Sequence, residues 1–351
     1  MSSVFRDLLR KIGSGPHTGK DLTRSEAEAA TRMMLLQEAT PAQIGAFMIA
    51  HRIKRPTGAE LAGMLDAYDA LGPKIQPGNF SHPVSVLGSP YDGRDRTFAL
   101  SPLTALVLAS AGCPVILHGG DRMPTKEGAP LVQFWQYLGV DWTKLSLAQV
   151  QAVFNHTGLG FIYLPNHFPL AQGLVTYREQ IGKRPPFATV ELLWSPYAGQ
   201  SQVFAGFVHP PTETFMRDAM SLRGSTHCTR LITIKGLEGS CDLPRERTAI
   251  IGLTGIEHPF ERLHLHPQEY GFSSKNVGLE GPEQWEAMMA TVLNNQASDL
   301  RDSLLWNSGF YLWQCGAAID LRDGISRATT LLQEGKVEQK LTQLISSINQ
   351  R

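Results

Sequence analysis

At 351 residues the chain is long enough for two domains, and its 42% hydrophobic and 18% charged content is that of a globular protein rather than a disordered one. Lys+Arg and Asp+Glu both number 32, so the formal charge is zero, which does not point to nucleic acid or an anionic membrane as a bulk partner and leaves room for a local basic groove. The four cysteines (Cys113, Cys228, Cys241, Cys315) form no CxxC pair and read as reduced thiols in a cytoplasmic protein.

The N-terminus has no apolar core of a secretory signal, and the first quarter of the chain is punctuated as helices. Thr23 with Glu26, Thr40 with Gln43 and Thr57 with Glu60 have the spacing of three capping boxes, the second carrying Pro41 at the first helical position. Ile44, Phe47 and Met48 form one apolar face, and Leu61, Met64, Leu65 and Tyr68 another. A small helical bundle over 1–76 follows, with a face left over for a second copy of the chain. The stretch 72–78, with two prolines and two glycines, cannot continue a helix and reads as the linker.

From residue 77 to 351 strands and helices alternate, which predicts an α/β domain with a mainly parallel sheet. The apolar run ending at Leu87 stops at Gly88-Ser-Pro; a helix-like segment covers 101–111, and a second apolar run, 114–117, ends at His118-Gly-Gly-Asp121. Proline and glycine interrupt the apolar stretch 98–117, so it is buried core and not a membrane span. Both loops then fall at the carboxyl ends of neighbouring parallel strands, the usual place for a ligand, and the first opens a helix N-terminus that favours an anion such as phosphate. Helices are predicted over 131–138 and 147–156, and a strand over 160–164. A Pro- and Arg-rich crossing (177–196) precedes a strand–helix–strand unit over 203–208, 212–222 and 229–234. The remainder from 283 to 348 is helical.

Several residues have chemistry to offer. Ser89, Asp92, Arg94, Asp95, Arg96 and Thr97 crowd between and beside Gly88 and Gly93. Amides, a hydroxyl and guanidinium groups suit a phosphate and the carboxylates suit Mg²⁺; the other reading is a solvated turn with internal Asp–Arg pairs. His118 has room beside two glycines to face a ligand, and Lys126 can reach the same cleft. Arg178 and Arg184 bracket Gly182 and suit a carboxylate or phosphate, or else pair with Glu179 or Glu191. Glu238 and Asp242 follow a strand and are candidates for Mg²⁺ or simple loop carboxylates. His264 and His266 alternate on one face but have no second ligand pair at zinc spacing.

The N-terminal run Ser25-Glu-Ala…Glu38-Ala-Thr-Pro-Ala-Gln-Ile-Gly-Ala-Phe-Met48…His51-Arg-Ile-Lys54 resembles the helical domain of the anthranilate phosphoribosyltransferase family. Arg178-Glu-Gln-Ile-Gly-Lys-Arg184 with Phe187 and Ser195-Pro196 is similar to that family's Arg-containing segment, and Asn307-Ser-Gly309 fits as well. The resemblance implies a helical domain of 1–76, joined by part of 176–196, beside an α/β domain of 77–351. It implies a homodimer meeting through the helical domains, and phosphoribosyl pyrophosphate with Mg²⁺ bound between the two domains.

The family's diphosphate loop reads GTGGDG and then TFNIST. Here Gly88, Asp92, Gly93, Thr97 and Ser101 match, whereas Pro90 and Tyr91 replace two glycines, one residue is inserted, and Ala99 stands for the asparagine. The lysine of KHGNR is replaced at Leu117, and the acidic metal pair is represented by Cys241-Asp242 with Glu238 upstream. By resemblance Gly88, Asp92, Gly93, Thr97 and Ser101 would serve the diphosphate and ribose, His118 and Arg178 the acceptor, and Glu238 and Asp242 the metal. The expected activity is transfer of phosphoribose to a small aromatic or nitrogen-heterocyclic acceptor. The alternative is a non-catalytic nucleic-acid-binding homodimer using Arg94, Arg96, Arg122, Lys126, Arg178, Lys183 and Arg184, and a third option is a nucleoside phosphorylase.

Overall fold

The structure, a computed structural model, describes residues 3–15, 17–224, 228–255 and 259–350. Four helices, α1 (Ser3–Gly13), α2 (Arg24–Leu35), α3 (Pro41–Lys54) and α4 (Gly58–Leu71), make the N-terminal bundle. All three predicted capping boxes close in both directions, at Thr23/Glu26, Thr40/Gln43 and Thr57/Glu60. Each satisfies two helix-end amides that would otherwise lack partners.

Glu60 does more than cap. Its buried carboxylate accepts from the N–H of Leu22 (2.8 Å) and from Lys54 Nζ (2.8 Å), and lies 3.4 Å from His51 Nε2, tying three parts of the bundle together. Burial pushes this carboxyl upward, but His51, Lys54 and the Leu22 amide outweigh it and hold the group at about 2, below its ordinary 4.5. A depressed acid contributes stability that is fully present above about pH 4.5 and lost as pH falls through about 2. Glu60→Gln is expected to cost about 2 kcal/mol in urea unfolding at pH 7, with the difference from the wild type shrinking at pH 3.

The larger domain is built on β1 (Val84–Gly88), α5 (Ser101–Ser110), β2 (Val115–Gly119), α6 (Leu131–Tyr137), α7 (Leu147–Thr157) and β3 (Leu159–Tyr163). Four short helices follow: α8 (Leu164–His167), α9 (Pro169–Gln172), α10 (Val175–Ile181) and α11 (Phe187–Leu193). Next come β4 (Ser201–Gly206), α12 (Pro210–Arg223), β5 (Cys228–Ile234), β6 (Ala249–Gly255) and β7 (Glu261–Leu265). The chain closes with α13 (Pro282–Leu293), α14 (Asp299–Gln314), α15 (Leu321–Gln333) and α16 (Lys336–Asn349).

The seven strands run in the order β3-β2-β1-β4-β5-β6-β7, parallel from β3 through β5 and antiparallel at β6 and β7. β1 to β4 are buried along their whole length, as expected of strands covered on both faces. α5 is buried at every position but Ser110, and no helix among the described residues is long and apolar enough to cross a membrane. α10 packs on α3 and α11 on α4, so the crossing segment joins the bundle to the sheet.

The strand order reverses at β1. The chain leaves β1 toward β2 and β3, then returns to place β4 on the other side, with Gly88 paired to Ala205. Loops leaving adjacent parallel strands in opposite directions open a crevice at their carboxyl ends, and in this architecture ligands bind there.

Candidate functional site

A cavity of about 330 Å³ occupies that crevice. Pro90, Tyr91 and Asp92 reach it from the end of β1, Phe207, Val208 and His209 from the end of β4, and Glu238 and Gly239 from the loop after β5. Arg178, Arg184 and Glu191 close it from the crossing segment. Gly88 sits where α11 comes closest to the sheet: a Cβ there would lie 2.1 Å from the Leu192 carbonyl oxygen. Glycine at this position is what lets the helix approach.

The loop after β1 does hold anions, but they are the chain's own carboxylates. Glu238 Oε1 accepts from the N–H of Thr97 (2.8 Å), the N–H of Arg96 (3.2 Å) and the Thr97 hydroxyl (2.8 Å), while Oε2 accepts from the N–H of Asp95 (3.3 Å) and from Lys126. Three successive amides, a hydroxyl and an ammonium are the donors that would cradle a phosphate. Burial pushes the Glu238 carboxyl upward, but Asp95, Lys126, Thr97 and Arg94 together hold it far below the ordinary carboxylate range. Glu238 also has φ +54°, a left-handed conformation uncommon for a residue with a side chain.

The second anion is at the start of α5. Leu100, its N-cap, has no side-chain cap; Asp242 supplies one from across the sheet, accepting from the Leu100 N–H (3.2 Å) and the Ser101 hydroxyl (3.1 Å). Between the two carboxylates lies Arg94, buried, donating to Asp242 Oδ2 (3.1 Å), to the Leu237 carbonyl (3.0 Å), to the Thr97 hydroxyl (2.6 Å) and to Ser240, and 3.5 Å from Glu238. Gly93, at φ +79°, turns the loop so that Arg94 pairs with Ala129 through reciprocal backbone bonds of 2.9 and 2.7 Å. Asn307 on α14 accepts from the Leu243 N–H (2.7 Å) and thereby fixes the segment that carries Asp242.

The acceptor candidates are also internally partnered. His118 is fully buried and meets the Tyr91 hydroxyl through Nδ1 at 2.5 Å. Burial drives the imidazole down to about 4, partly offset by the Trp194 backbone, so it is neutral at pH 7. The Tyr91 phenol, pushed well above its ordinary value by burial, keeps its proton and donates it to Nδ1. Arg178 is buried against Glu191, one of the two partners its sequence context offered, and its other terminal nitrogen lies 2.8 Å from Met123 Sδ. Arg184 bonds Asp92.

Of the residues singled out in the sequence, Asp92, Arg178, Arg184 and Glu238 line the cavity; Gly88, Gly93, Thr97, Ser101, Asp242 and His118 do not, Thr97 bonding Glu238, Ser101 bonding Asp242 and His118 bonding Tyr91. Glu238 and Asp242 do not fit as ready-made ligands for Mg²⁺: all four of their oxygens carry hydrogen bonds, and Arg94 and Lys126 already supply the positive charge. Among the described residues no group of three or more His, Cys, Asp or Glu could hold a metal ion. The basic groove of the alternative reading is interrupted, because Arg94 and Arg178 are buried in ion pairs and Lys126 is held on Glu238.

Comparison with known proteins brings the two layers of the fold together. Residues 6–72 match the glycosyl transferase family helical bundle domain, and residues 92–338 the glycosyl transferase family a/b domain. The chain is 26% identical over 331 residues to the anthranilate phosphoribosyltransferase of a Polaromonas species (93% of this chain, 92% of the relative) and 28% identical over 331 residues to that of Chromobacterium violaceum (93% and 94%). Among solved structures, the anthranilate phosphoribosyltransferase of Thermus thermophilus superposes with a TM-score of 0.80 at 19% identity, covering 99% of this chain and 100% of that one. The Saccharomyces cerevisiae enzyme in complex with PRPP and Mg gives 0.83 at 16% identity, with 100% and 99% coverage. At these identities the structural likeness is one of fold.

Proposed function

The chain belongs to the glycosyl transferase family whose helical-bundle and a/b domains match it, and from that premise we propose that it is a phosphoribosyltransferase-type enzyme acting on a small aromatic or nitrogen-heterocyclic acceptor. The observation that carries this reading is the cavity at the reversal point of the sheet, bordered by Glu238 on its amide cradle and partly apolar beside Pro90, Tyr91, Leu192 and Phe207. The relatives named above support phosphoribosyl pyrophosphate as the donor.

In this reading the acceptor nitrogen attacks the anomeric carbon as pyrophosphate leaves, and the protein contributes chiefly position and charge stabilisation. The donors that now hold Glu238, namely the amides of 95–97, the Thr97 hydroxyl and Lys126, are those a diphosphate would use, so the donor competes with Glu238 for them. Gly88, Gly93 and Ser101 keep that end of the cavity in shape, Asp92 and Arg178 face the ligand, and His118 acts through Tyr91. Mg²⁺ accompanies the donor in the yeast relative. We assign it no ligand among Glu238 and Asp242 as they stand. The two-domain division at about residue 76, the homodimer through the helical domain and the cytoplasmic location belong to the same proposal.

Titration calorimetry with phosphoribosyl pyrophosphate, with and without Mg²⁺, tests the reading. A saturable heat below millimolar donor is the expected result, and no heat at millimolar donor overturns it. Light scattering at twice the chain mass is the expected signature of the dimer.

A further inference from the structure

The acceptor end of the cavity carries a charge pattern that determines what it admits. Arg178 has the side chain that elsewhere grips a carboxylate with two parallel N–H bonds. Here that fork is already engaged: one terminal nitrogen holds Glu191 and the other faces Met123 Sδ at 2.8 Å. Arg184 holds Asp92 through one terminal nitrogen, on a half-exposed side chain. Both carboxylates and both guanidinium groups line the cavity, so a ligand entering it meets two ion pairs rather than an unpaired arginine.

Two buried atoms of the first pair have no hydrogen-bond partner. They are Glu191 Oε2, an acceptor, and Arg178 Nε, a donor, on residues that are each only 3% exposed. An unmade bond on a buried charged group is costly, and a ligand that completes it gains that cost back as affinity. Pro90, Tyr91, Leu192 and Phe207 add apolar lining, with Thr189, His209 and Thr212 the polar remainder, and a volume of about 330 Å³ suits one or two fused rings.

We infer that Glu191 is a specificity-determining residue, and that it selects a planar nitrogen heterocycle presenting an N–H donor beside a ring acceptor while excluding a carboxylate-bearing aromatic acid. The heterocycle N–H donates to Glu191 Oε2, and its acceptor atom receives Arg178 Nε–H. A carboxylate in the same place can take only the single Arg178 Nε–H, and it meets the Glu191 charge with no donor to offer Oε2. Burial pushes the Glu191 carboxyl up to about 7, with Arg178 pulling the other way, so the selection is sharpest on the alkaline side, where the group is ionised. This rests on the cavity being the acceptor site of the proposed transferase, and it narrows the acceptor to one chemical class.

The test is calorimetric titration of the full chain at pH 8, without donor, using 2-aminobenzimidazole as the heterocycle and anthranilate as the aromatic acid. The heterocycle is expected to bind at least tenfold more tightly. E191Q, which removes the negative charge and turns one acceptor oxygen into a donor, is expected to lose at least tenfold in heterocycle affinity and to gain anthranilate binding, a reversal that loss of packing alone does not produce. Anthranilate binding as tightly as the heterocycle to the wild-type chain overturns the inference, and so does the absence of binding by both; these two titrations decide it even where E191Q fails to fold. Heterocycle binding without any heat from phosphoribosyl pyrophosphate counts against the transferase reading and leaves the selectivity of the cavity standing. Donor heat with anthranilate preferred does the opposite.

Discussion

Replacing Arg94 with alanine is expected to lower stability by about 4 kcal/mol and the thermal midpoint by roughly 10 °C, the largest loss from any single polar side chain of the site. Arg94 stands between two carboxylates that are themselves buried, and its nitrogens also satisfy the Leu237 carbonyl and the Thr97 hydroxyl. Without it Glu238 keeps Lys126, but Asp242 retains only an amide and a hydroxyl to balance a full charge. An uncompensated buried carboxylate is costly in its charged form and far less so once protonated. The deficit of the variant is then greatest at high pH and shrinks as pH falls and the group takes a proton. Urea unfolding of the wild type and Arg94→Ala at pH 8 and pH 5 measures this, and an equal deficit at both values would show that packing and not charge is lost. Arg94→Lys is expected to recover less than half, because one ammonium cannot span Asp242, Thr97 and Leu237 together.

The contrast between Arg94 and its surroundings shows what the sequence made legible. The helical bundle was readable because capping boxes are local: Thr40 and Gln43 are three residues apart and find each other whatever the rest of the chain does. The parallel half of the sheet was readable because its strands are buried on both faces and therefore mostly apolar. Of the antiparallel pair, β7 (Glu261–Leu265) left almost no signal, since it is a partly exposed edge that mixes Glu, Arg and His with two leucines. At the site, the residues were visible but their partners were not. Arg94 and Asp242 are separated by 148 positions, and Glu238 meets the amides of 95–97 across more than 140. From composition, a loop with two aspartates and two arginines is equally a phosphate cradle or a self-paired turn. The structure gives a third arrangement, in which the cradle exists and carboxylates from a distant loop fill it. Of the non-local pairs, only Arg178 with Glu191 lay close enough in sequence to be foreseen, at a separation of 13.

That filled cradle makes Glu238 the position where a substitution should add function. Glu238→Gly is expected to raise affinity for inorganic pyrophosphate at least about tenfold, because three amides, a hydroxyl and Lys126 lose their internal anion and become free to bind another. Glycine is the informative replacement. At φ +54° it relieves the backbone of a conformation that a Cβ disfavours, which offsets part of the stability lost with the carboxylate. Stability and binding are linked here: the variant alone should melt below the wild type, since Lys126 and Arg94 then crowd positive charge, and pyrophosphate should restore it by the amount that ligand binding to the folded state supplies. Thermal melts across a pyrophosphate series read both quantities at once. A steeper rise of the midpoint with ligand in Glu238→Gly than in the wild type is the expected result. Parallel curves would mean that the amides of 95–97 are a structural cap for one carboxylate, unable to accept a diphosphate in its place. The outcome bears on the enzyme as well. If the donor must displace Glu238, the wild-type chain binds it more weakly than an open cradle would, and the competition between a tethered carboxylate and a free diphosphate sets the donor concentration at which the site fills.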